Sequence, residues 1–68
     1  MVNLWDYAND RPRVRLTLKD GTIIEGKTIC IWDAEEFEDG AEDAIGLDLD
    51  YGGATNIYQS EIAKIERI

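Results

Sequence analysis

Histidine is absent from this sequence, and cysteine, proline, serine and phenylalanine occur once each, as Cys30, Pro12, Ser60 and Phe37. Most of the side chains that carry nucleophilic or general-base catalysis near neutral pH are therefore missing, and an enzyme is not expected. One cysteine excludes an internal disulfide, and one cysteine without histidine leaves too few soft ligands for a structural zinc site. No cofactor is expected. No apolar run approaches the roughly 18 residues of a membrane span. The opening MVNLWDYAND also lacks a basic region followed by an apolar stretch. The chain reads as soluble and cytoplasmic, with no membrane partner.

What is present is a short, folded and acidic chain. Its 68 residues allow a single domain over 1–68, and 44% hydrophobic content is too rich for a disordered chain. Ordering that many residues costs on the order of 100 kcal/mol at about 1.5 kcal/mol each, so so small a core only just outweighs the entropy. With no disulfide or zinc to help, oligomerisation is the remaining common remedy. Charge is uneven: residues 1–27 carry +1, residues 28–63 carry −10 and residues 64–68 carry +1, for a net −8. The acidic part repels phosphates instead of releasing counterions to a cation, so a protein partner is expected ahead of nucleic acid.

Asn3 with Asp6 has the spacing of a capping box, and Leu4, Trp5 and Ala8 share one side, which predicts a short α-helix over about 3–9 that Pro12 stops. Val14, Leu16 and Leu18 alternate with Arg13, Arg15, Thr17 and Lys19, the pattern of a half-buried strand. Asp20-Gly21 before Thr22-Ile23-Ile24 predicts a tight type I′ hairpin. The second strand runs from Thr22 to about Trp32, with Ile23, Ile29 and Ile31 on one side and Ile24, Cys30 and Trp32 on the other. Gly26 inside it predicts a bulge or sharp bend. Residues 33–43 (DAEEFEDGAED) form an acidic loop kept solvated by self-repulsion. Ile45, Leu47 and Leu49 point inward from a third strand, Gly52-Gly53 turns, and Asn56-Ile57-Tyr58 is a short fourth strand. Gln59-Ser60-Glu61 makes a one-turn corner, and a last strand from Ala63 anchors Ile62, Ile65 and Ile68 in the core. The expected fold is mainly β: a small, strongly bent five-stranded barrel over about 13–68 behind a short N-terminal helix, since closure removes edges and buries both faces of the bent strand.

Residues Val14 to Asp33, with a strand, a glycine turn, a second glycine at Gly26 and a closing aspartate, resemble the first motif of the Sm-like (Lsm/Hfq-type) family of SH3-like barrels. Residues Ile57 to Ile68 are similar to its second motif: short strand, one-turn corner, final strand. The resemblance covers nearly the whole chain. It implies hexameric or heptameric rings in which the fourth strand of one subunit pairs with the fifth of the next, and many such proteins bind uridine- or adenosine-rich RNA. Asn56, Ile57, Tyr58, Ile65 and Arg67 would then form the subunit interface. The base pocket departs from the family pattern: Glu36 and Phe37 stand where an apolar residue and an asparagine are usual, and Gln59-Ser60 replaces a basic residue followed by glycine.

The candidate partner or RNA contacts are therefore Asp33, Glu36, Phe37, Gln59 and Ser60. Phe37 reads as a stacking platform, a docking anchor or a residue folded back on the barrel. Arg13, Arg15 and Lys19 read as a phosphate-contacting stripe or as a solvated face paired with carboxylates. Calcium is not expected, because setting Gly40 at the sixth position of an EF-hand loop puts Phe37 at the third and Gly46 at the twelfth. Cys30 reads as a small buried hydrophobe, and Trp5 and Trp32 as packing residues. Three functions follow: a non-catalytic oligomeric assembly module that engages protein through its acidic face, an RNA-binding protein with a non-standard pocket, or an acidic mimic of nucleic acid.

Overall fold

A computed structural model of the chain describes residues 2–36 and 42–68. The alternating segments become five antiparallel strands, β1 (Arg13–Leu18), β2 (Ile23–Trp32), β3 (Ala44–Leu49), β4 (Ala54–Tyr58) and β5 (Ile62–Arg67). They form one sheet in the order β4-β3-β2-β1-β5. The sheet is unclosed, with β4 and β5 as its two edges. Its inner face buries Val14, Leu16, Ile31, Ile45, Leu47, Ile57 and Ile62, and Leu4 from the N-terminal segment completes this core.

β2 is long enough to serve two neighbours. Its first half pairs with β1 from Thr17↔Ile23 to Arg13↔Lys27, and its second half with β3 from Gly26↔Leu49 to Trp32↔Ala44. The halves meet at Gly26, where an added Cβ would lie 2.5 Å from the backbone carbonyl oxygen of Asp48. Only glycine admits so close an approach. The register shifts between Thr28 and Cys30, which leaves Ile29 as an extra, bulged residue. That extra residue reverses the parity of the strand, and the expected grouping of Ile23, Ile29 and Ile31 does not form. Ile31 is buried and Ile24 packs on the core, whereas Ile23 and Ile29 are exposed.

The N-terminal segment is a single 3-10 turn, Leu4–Tyr7, and not the expected α-helix over 3–9. Its bonds run from Asp6 N to Asn3 O and from Ala8 N to Trp5 O, with Asn3 Oδ1 accepting from Trp5 N at 3.2 Å. So few residues before Pro12 do not repay helix nucleation, and tertiary burial of Leu4 holds the turn in place. The Asp20-Gly21 hairpin also differs from the type I′ expectation. Gly21 has a φ of 92°, Asp20 has no positive φ, and Leu18 N donates to Thr22 O across a three-residue loop. That is the three-residue hairpin loop with glycine in the left-handed position. The β3–β4 hairpin repeats it, with Leu49 N donating to Gly53 O and Gly52 at φ 105°. Ile68, expected in the core, is 45% exposed. Among the described residues no helix is long and apolar enough to cross a membrane.

Candidate functional site

The two sheet edges are joined through a second 3-10 turn, Gln59–Glu61, between β4 and β5. Local sequence explains the turn: Tyr58 enters extended, and the Glu61 carboxylate accepts from Tyr58 N at 3.3 Å. Of the five residues expected at a subunit interface, Ile57 is buried and Ile65 packs on the core, so these two contribute backbone at the edges and not side chains. Asn56 and Tyr58 are exposed on the outer face, where Asn56 Oδ1 accepts from Trp32 Nε1 at 2.9 Å. Arg67 is turned to the N-terminal segment. It forms an ion pair with Asp10, donates to the carbonyl of Asp6 at 3.0 Å and stacks 4.9 Å from the Tyr7 ring centroid.

The turn that carries Asp33 and Glu36 is joined to the corner that carries Gln59 and Ser60 through Asp43. Its Oδ1 accepts from Ala34 N, its Oδ2 from Trp5 Nε1 at 2.8 Å, and its carbonyl from Gln59 N. Ala34–Glu36 is a third 3-10 turn, opened by Asp33 Oδ1 accepting from Glu35 N. Glu42 holds the corner from the other side, its two carboxylate oxygens accepting from Ser60 N at 2.7 Å and Ser60 Oγ at 2.9 Å. The side chain of Gln59 donates to Val2 O. Phe37 lies outside the described residues. The roles of Asp43 and Glu42 were hidden in a segment whose composition reads as a solvated loop. Their position immediately before β3 was the available signal, because a carboxylate there can satisfy amides left unpaired at an adjoining turn. Among the described residues, no group of acidic and cysteine side chains is arranged to hold a metal ion.

The cations of β1 sit in a charge ladder on the outer face. Arg13 pairs with Asp50, and Arg15 Nε donates to Glu25 Oε2 at 2.5 Å. That hydrogen bond raises the Arg15 pKa above its ordinary value. Lys64 and Glu66 of β5 approach to 3.7 Å beside them. Lys19 has no ion pair among the described residues and lines a hollow of about 490 Å³ with Glu42, Gln59, Ser60, Ile62 and Ala63. In the first hairpin, the backbone N–H of Thr22 donates to the Asp20 carboxylate and lowers its pKa. No protein-family model, no curated protein and no solved structure matches this chain, so the site is read on its own geometry.

Proposed function

We propose that this chain is a non-catalytic assembly module, an Sm-like, SH3-like barrel whose copies join through their edge strands and engage a protein partner through the acidic end. The observation that carries the reading is the strand order, which leaves β4 and β5 as the two edges. These are the strands that the sequence resemblance pairs between subunits. An edge strand presents a row of unpaired N–H and C=O groups, and a core of this size gains from covering them. The corner between the edges is fixed by Glu42 and Asp43, so both edges are held in one geometry before association. Such preorganisation lowers the cost of binding.

A protein partner is favoured over RNA by the pairing of the cations. Arg13 and Arg15 are already held by Asp50 and Glu25, and Ser60 by Glu42. A phosphate would have to displace carboxylates while approaching a chain of net charge −8. Size exclusion with light scattering tests the assembly. A mass that is a multiple of 7.7 kDa at tens of micromolar is expected, and a clean monomer overturns the reading.

A further inference from the structure

Among the described residues, Arg11 is the only one other than glycine with a positive φ, at 45°. That left-handed conformation is strained for a residue with a Cβ, and the position is disfavoured a second time because Pro12 pushes its predecessor towards extended backbone. The strain lies at a junction. On one side Pro12 already belongs to the sheet, its carbonyl accepting from Thr28 N at 3.0 Å and from Thr28 Oγ at 2.8 Å. On the other side residues 2–10 fold back, with Val2, Leu4, Tyr7 and Ala8 packed on the core. Lys27 Nζ holds the bend by donating to Arg11 O at 2.8 Å.

The latches on segment 2–10 all come from the far side of that junction. Leu4 is fully buried among the apolar side chains of the strands, and Trp5 Nε1 donates to Asp43. Gln59 donates to Val2 O, and Arg67 holds Asp10, the Asp6 carbonyl and the Tyr7 ring. None of these contacts requires both partners to belong to one copy. Simple release would relax Arg11 but leave a leucine-sized hole in a small core, and that loss exceeds what one strained residue returns. A segment that refills the seat and repeats every latch is present in a second copy of this chain. Exchange keeps the contacts and lets both connections extend, and short strained connections favour such exchange.

We propose that two copies of this chain exchange their N-terminal segments, Leu4 of each completing the core of the other, with Arg11 as the hinge. The exchange is separate from edge pairing and does not rest on it. Arg11→Gly removes the strain of the closed form, whereas the β-branched Arg11→Val increases it. The site is exposed, so circular dichroism is expected to show the same fold in both variants. By light scattering, the dimer dissociation constant is expected to rise at least about 25-fold in Arg11→Gly, a factor of about 5 at each of two hinges, and to fall in Arg11→Val. A constant unchanged in both variants, or a monomeric parent chain, overturns the proposal. Isotope-labelled and unlabelled parent chains refolded together then locate the segment. Isotope-filtered NOEs are expected from the Trp5 indole N–H and the Tyr7 ring of labelled copies to Asp43 and Arg67 of unlabelled ones. If an oligomer forms and these contacts stay within one copy, the exchange is overturned while edge assembly stands.

Discussion

Gly26 and Gly21 are both glycines in the β1–β2 hairpin, yet different physics requires them. At Gly26 the obstacle is the Asp48 carbonyl, which is backbone and cannot rotate away. Gly26→Ala is therefore expected to lower stability by about 2–3 kcal/mol, as overpacking does, read as a lower urea midpoint. Gly21 has open space around its Cα but a φ of 92°. Gly21→Ala is expected to cost about 1–2 kcal/mol, the penalty for a left-handed L-residue. Equal losses at the two sites would contradict this distinction. One residue earlier, Asp20 makes stability depend on pH. Its pKa is depressed by the Thr22 N–H, so its contribution is present above the unfolded carboxylate value near 3.9 and disappears as pH falls through the folded value. Below about pH 4 the parent chain should lose stability faster than Asp20→Asn, and parallel denaturation curves across that range would refute the assignment.

The three 3-10 turns are tied through one residue, Asp43, two by its side chain and the third by its backbone carbonyl. Asp43→Ala removes the acceptors for Trp5 Nε1 and Ala34 N, a loss of about 1–3 kcal/mol for hydrogen bonds to a charged group. Amide exchange should accelerate over Leu4–Tyr7 and Ala34–Glu36 while β1 and β2 keep their protection. Uniform acceleration would mean that Asp43 supports the whole sheet instead. β1 was legible because Val14 and Leu16 alternate with charged residues without interruption, and the acidic end was legible from composition. The facing of Cys30, Ile31 and Trp32 was not, because a period of two has no means of registering one extra residue, and every position beyond the bulge changes sides. The clamp at Asp43 escaped for a different reason. Its partners Trp5 and Gln59 are distant in sequence and become neighbours only once the sheet bends.

Over the whole molecule, attraction and repulsion occupy separate regions. The exposed ion pairs of the outer face are each worth little, about 0–1 kcal/mol. The carboxylates Asp33, Glu35, Glu36, Glu42, Asp43 and Glu61 crowd one end with Lys19 as the adjoining cation. Repulsion outweighs the pairs, so the melting temperature should rise from low salt to about 0.5 M salt, where screening extends only a few ångströms. A falling melting temperature would show that the ladder dominates. The same charge predicts weak binding of labelled oligo-uridine at physiological salt. Submicromolar affinity that falls steeply with salt and is lost in Arg13→Ala/Arg15→Ala would place RNA first. The strand order also has a kinetic consequence. β1–β2, β2–β3 and β3–β4 each join consecutive strands, whereas β1–β5 brings together residues as far apart as Val14 and Arg67. Closing that long loop carries the largest entropic cost, so the meander forms the folding nucleus and the last strand docks after the barrier. Ile62→Val, a loss of about 1 kcal/mol at a buried β5 position, should then hasten unfolding and leave the refolding rate unchanged. The lifetime of the folded chain is thus governed by how firmly its final strand stays docked.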